Sequence, residues 1–183
     1  MPLYRADCSR CCGLCCVVPG QLAAQGFRAD KPAETPCAHL NGIHRCSIHA
    51  TRRLQGYTPC ENFDCYGAGQ WITQHLFQGA RWSETSDLAQ QMFAAYLYWA
   101  PRFQSAALLE AALPYVRDDA RNAIAARMRA LTEGETEDRP TDAIQLRRET
   151  LAAIRSALPQ AEAEHACGSP SSGRNSCGSH DFK

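Results

Sequence analysis

The stretch CSRCCGLCC (residues 8–16) places five cysteines in nine positions. Such density is too tight for ordinary core filling, and five thiols cannot all pair with one another. Downstream the pattern continues as Cys37-x8-Cys46-x13-Cys60-x4-Cys65, so nine of the eleven cysteines precede residue 66. Zinc and iron–sulfur centres gather thiolates roughly tetrahedrally about each metal, and a two-residue gap lets two thiolates from one tight turn reach the same ion. Gly13, inside the cluster, supplies the positive φ that such a turn demands. The later cysteines adjoin turn residues, as in Pro36-Cys37, Pro59-Cys60 and Cys65-Tyr66-Gly67, so they can pin later loops onto the first.

Composition narrows the compartment and the chemistry. Lys and Arg total 19, as do Asp and Glu, so no general attraction to nucleic acid or membrane is expected. Residues 1–82 hold eight basic against five acidic residues, and residues 83–165 nine against thirteen. MPLYRADC has no signal-peptide core and no apolar run approaches a membrane span. A cytoplasmic setting is therefore expected, where dense cysteine means metal more often than disulfide. A thioredoxin-like redox site would need a lone Cys-x-x-Cys within a βαβ unit, which is not seen. YGAGQ (66–70) is too short and wrongly placed for a dinucleotide loop. His39 and His49 are further candidate ligands by spacing, ahead of His44 and His75.

Three regions are expected: a cysteine-rich metal-binding domain (1–82), an α-helical region (83–165) and a disordered tail (166–183). The first is punctuated by Pro and Gly and short of apolar periodicity, so a metal is expected to staple it. Four amphipathic helices are expected after it. The first is capped by Ser83 or Ser86, carries Leu88, Met92, Phe93, Tyr96 and Leu97, and ends at Pro101. A second spans 103–113. A third starts at Asp118 and Asp119 with Ile124, Met128 and Leu131 on one face. A loop over 132–140 leads to a fourth, with Ile144, Leu151, Ile154 and Leu158 as its stripe. The fold class is thus mainly α, a small helical bundle following a loop-rich, metal-stapled domain. The aromatic belt over 88–99, with Trp71 and Trp82 upstream, is expected to join the two regions. A dimer or partner interface is the competing role for it.

Cys8-x2-Cys11 followed by Cys15-Cys16, with CAHL (37–40), CSIHATR (46–52) and the Cys60/Cys65 pair, resembles the YkgJ-type cysteine-cluster family. Its CxxCxxxCC signature is associated with zinc or iron chelation. The resemblance implies Cys8, Cys11, Cys15, Cys16, Cys37, Cys46, Cys60 and Cys65 as the metal-binding set, with zinc or an iron–sulfur cluster as cofactor. Cys12 departs from the pattern and is a spare thiol on this reading. Residues 8–70 also resemble the segment ahead of the repeats in some bacterial pentapeptide-repeat proteins, although no A-[DN]-L-x-x array follows. The resemblance implies metal binding and no defined reaction. The expected function is a structural or sensory metal module that offers a surface to a protein partner. An iron–sulfur enzyme or electron carrier, which would be coloured, and a metal store or chaperone, which would hold exchangeable metal, are the alternatives.

Overall fold

The computed structural model describes residues 4–134 and 141–159. The expected tail, with Cys167 and Cys177, lies outside the described residues, as does most of the expected loop over 132–140. The chain is mainly helical, and among the described residues its only bridges are the isolated antiparallel pairs Gln21↔Lys31 and Leu40↔Cys46.

Residues 4–66 run through short 3-10 turns at Cys8–Arg10, Leu14–Cys16, Ala23–Gln25 and His49–Thr51, then the single-turn helix α1 (Thr58–Glu61). Helix α2 (Ala68–Trp71) passes directly into a π turn, Ile72–Leu76. One side of this pair holds the N-terminal segment along its length. Gln70 accepts from the Asp7 amide at 2.7 Å and donates to the Arg5 carbonyl at 2.7 Å. The Thr73 hydroxyl accepts from the Cys12 amide at 3.3 Å, and Gln74 donates to the Arg10 carbonyl at 2.8 Å. Positions 70, 73 and 74 share a helical face, so YGAGQ opens a clamp on the first cysteines.

Helix α3 (Ser86–Ala112) is one continuous element where two helices were expected. Its cap is Thr85, not Ser83 or Ser86, with the Thr85 hydroxyl accepting from the Leu88 amide at 3.1 Å. Pro101 lies inside it. A proline interrupts a helix because it offers no N–H to the carbonyl four residues back, here Leu97. That carbonyl instead accepts from the Thr141 amide at 3.4 Å, while the Thr141 hydroxyl donates to the Tyr98 carbonyl at 2.7 Å. The freed acceptor thus has a donor from another part of the chain, and the helix runs on.

Helices α4 (Asp118–Thr132) and α5 (Ala143–Ala157) pack on the C-terminal half of α3. Asp118 and Asp119 occupy the first turn of α4, where the helix dipole favours carboxylates. Arg117 ties the start of α4 to the end of α5. Its guanidinium donates to the Ser156 and Leu158 carbonyls at 3.0 and 3.1 Å, which are acceptors the helix end leaves unpaired. Ile124, Met128 and Leu131 are buried as expected. The α5 stripe is displaced from the expected one. Leu146, Ala153, Ile154 and Ala157 face the core, whereas Ile144 and Leu151 are exposed.

Two apolar clusters result. The second joins Ala106, Leu109, Val116 and the α4–α5 residues. The first unites both sequence regions: Leu14, Val17, Val18, Ala68 and Ile72 pack against Met92, Phe93, Tyr96, Trp99 and Phe103. Trp71 packs on Trp99 with ring centroids 4.5 Å apart and planes tilted by 57°, and Trp82 approaches Phe93 at 6.0 Å. The aromatic belt is therefore largely buried within the chain. CGLCCVV is two-faced: Cys12, Leu14, Val17 and Val18 are buried in the apolar cluster, leaving Cys15 and Cys16 for the opposite side.

Candidate metal centre

That opposite side is a cavity of about 650 Å³, and all eight cysteines of the set expected from the resemblance line it. Cys12 does not. It is buried, with its thiol 3.4 Å from the Thr73 hydroxyl. All nine cysteines among the described residues are free thiols. The eight that line the cavity do not converge on a point, and among the described residues no three or more His, Cys, Asp or Glu side chains are drawn close enough to hold an ion as they stand.

The local geometry is set by backbone and cations. Asp7 caps the first turn by accepting from the Ser9 amide at 2.9 Å and the Ser9 hydroxyl at 2.5 Å, contacts that hold its carboxyl below the usual range. Gly13 sits at φ 76°, and a Cβ there would lie 2.8 Å from Leu40 Cδ1 and 3.0 Å from the His44 carbonyl oxygen. Its amide donates to Cys11 Sγ at 3.3 Å. The Arg45 guanidinium gathers the carbonyls of Cys8, Ser9 and Cys11, the last at 2.7 Å. Lys31 is buried, with Nζ donating to the carbonyls of Val17, Pro32 and Thr35 at 3.0, 2.9 and 2.7 Å. Among the described residues Lys31, Arg45 and Arg52 have no carboxylate within ion-pairing distance. The titratable neighbours of Lys31 are Cys37 and Cys16, and those of Arg52 include Cys16, Cys46 and Cys60.

Burial pushes most of these thiols up: Cys11 to about 12 and Cys60 to about 11, both from 9.0. Cys15 also rises, first through its hydrogen bond with Cys16 and then through burial. Cys16 moves the other way, to about 7, because Cys15 and Cys46 hydrogen-bond to its sulfur and Lys31 and Arg52 stand nearby.

Three observations bear on whether a thiolate-bound group suits this cavity. The donor set is soft, which favours zinc, copper(I) or iron–sulfur centres. A Cβ on Gly69 would lie 2.7 Å from Cys11 Sγ and 3.8 Å from Cys65 Sγ, so only glycine lets α2 approach these sulfurs. Tyr96 is buried with a hydroxyl that has no hydrogen-bond partner, and its electrostatic neighbours are Cys15, Cys65, Cys11 and Cys16. An unsatisfied buried hydroxyl costs about 1–3 kcal/mol, and a sulfur acceptor brought within reach would relieve that cost. The donor types suit such a group, and the loops would have to draw closer together to hold it.

His39, His44 and His49 line the cavity as well. His39 Nε2 is 3.2 Å from the Tyr57 hydroxyl, and His44 Nε2 is 3.0 Å from the Ser83 hydroxyl. His75 lies elsewhere, its ring tilted towards Trp71 with centroids 6.3 Å apart. Gly69 and Tyr96 carry no sequence signal as site residues, since their roles come from tertiary approach alone.

Among known proteins the chain is similar to the uncharacterised protein YybG of Bacillus subtilis (strain 168), 38% identical over 91 residues that make up 50% of this chain and 33% of YybG. The chain thus matches about a third of that relative's length. No family model and no solved structure matches it. No helix among the described residues is long and apolar enough to cross a membrane.

Proposed function

We propose that this is a metal-binding protein of the YkgJ-like cysteine-cluster kind, in which thiolates hold zinc or an iron–sulfur cluster as a structural or sensory centre. The observation that carries the reading is the cavity: the eight cysteines face it from separate loops, while Cys12 is turned into the core. A bound dication or cluster would offset the charge of several thiolates and favour their ionisation. The chain's own part is positional. Arg45 fixes the first turn through three carbonyls, Gly13 and Tyr96 provide hydrogen-bond donors near sulfur, and Lys31 and Arg52 offset negative charge. The metal would join the loops 8–16, 37–46 and 60–65, presenting their outer surface to a protein partner in a cytoplasmic setting.

Anaerobic purification with elemental analysis and a visible spectrum tests this, because iron–sulfur centres absorb in the visible and zinc does not. Cys15→Ser and Cys60→Ser are expected to lower metal content and soluble yield. Cys12→Ser and Cys167→Ser should leave metal content at the wild-type value. Metal-free protein after anaerobic purification that also fails to take up zinc or iron would overturn the reading.

A further inference from the structure

We propose that the groove between α3 and α5 is a docking site for an acidic amphipathic helix of a protein partner, one with apolar side chains two turns apart and carboxylates between them. The inference stands apart from the metal-centre reading, since the groove shares no lining residue with the cysteine cavity.

The groove encloses about 410 Å³. From α5 it takes Ile144, Arg147, Arg148 and Leu151, the positions i, i+3, i+4 and i+7 that make up one helical face. Across from them on α3, Pro101 and Leu108 bracket Gln104 over the same two turns. The helices run side by side in the same direction. Thr141 meets the Leu97 and Tyr98 carbonyls at one end, and the Arg117 amide donates to the Ala157 carbonyl at the other. Pro101 is thereby matched with Ile144 and Leu108 with Leu151, so each end of the groove is apolar and its middle is polar. The two ends lie about 10 Å apart, two turns at the helical rise.

This face of α5 is surplus to its own packing. The core stripe is Leu146, Ala153, Ile154 and Ala157, yet Ile144 is 69% and Leu151 36% exposed. A helix that carries a second apolar stripe has a surface for a second neighbour. Charge selects that neighbour. Among the described residues neither Arg147 nor Arg148 has a hydrogen-bond or carboxylate partner, and no acidic side chain lines the groove. Glu149, the carboxylate next to them in sequence, is taken up by Arg127 at 3.5 Å and Gln145 at 2.8 Å. A basic helix would meet two guanidiniums with nothing to offset them, whereas carboxylates there form charge-assisted pairs. The occupant therefore mirrors the groove. Its apolar residues at i and i+7 seat on the two ends, and Glu or Asp at i+3 and i+4 face the arginines.

A labelled peptide with Leu at i and i+7 and Glu at i+3 and i+4 tests the proposal against the full-length protein by fluorescence anisotropy, beside a twin with Lys in place of Glu. Both are cross-linked on the outer face, because so short a helix is marginal in water. The Glu peptide is expected to bind saturably with a micromolar Kd that weakens as salt rises, and the Lys twin about tenfold more weakly or worse. Arg147→Glu combined with Arg148→Glu should reverse that preference. Ile144→Ser should weaken the Glu peptide about tenfold. All three substitutions fall at exposed positions, so the urea midpoint should stay in place. Equal binding of the two peptides, no saturation by the Glu peptide, or binding that the α5 substitutions leave unchanged would overturn the proposal. So would a wild-type dimer on sizing that Ile144→Ser dissociates, since a second copy would then cover the groove. If a variant is insoluble, the comparison of the two peptides on the wild type decides alone.

Discussion

Stripping metal from the protein with a chelator is expected to unfold the loops of residues 4–66 while α3, α4 and α5 keep their helical signal. These loops bury few large apolar side chains, with Leu14, Val17 and Val18 as their main anchors. Only short 3-10 turns, one helical turn and two isolated bridges order the rest. A region with so little buried apolar surface gains most of its folding free energy from site formation, so metal loss and unfolding are one event. Far-ultraviolet circular dichroism should change little, since most helix lies beyond residue 85. Amide exchange should show protection collapsing across 4–66 alone. Retained protection in those loops after verified metal removal would defeat the prediction.

Replacing Trp99 by alanine should have the largest effect of any single apolar substitution. Its side chain has no exposed surface and touches Trp71, Tyr98 and Phe103. Truncating a buried tryptophan costs about 3–5 kcal/mol, a large share of a typical domain's stability. Because Trp99 sits where α2 and α3 meet, the loss should lower the urea midpoint seen by helix content and by metal release together. Two transitions that separate in the wild type, with only one moved by the substitution, would show that the seam does not couple the regions.

The legible parts of this protein were those fixed by local chemistry. Asp118 and Asp119 followed by Ile124, Met128 and Leu131 marked α4 because dipole and periodicity act within a few residues. The break expected at Pro101 failed for the opposite reason: its remedy is Thr141, forty positions away, and no local pattern announces that donor. The stripe of α5 was misplaced because Ile144 and Leu151 are apolar by type, yet small Ala153 and Ala157 let the helices approach on the other side. Cysteine spacing indicated which thiols could share a site, and those eight do line one cavity. It could not show the approach of Gly69 to two sulfurs or the unpartnered hydroxyl of Tyr96, which periodicity alone places on an ordinary apolar stripe.

The three tryptophans of the chain all lie along the junction between its halves. Trp71 packs at a tilt on Trp99, and Trp82 donates to the Cys12 carbonyl at 2.9 Å while its ring meets His44 edge-on. Optically the molecule therefore has one window. Its intrinsic indole emission reports the junction, with Trp82 one peptide bond removed from the cysteine turn at 13–16, and is nearly blind to α4 and α5. Loading or loss of a metal should be visible as a change in that emission without any added dye, whereas fraying of the distant helices should pass in the dark.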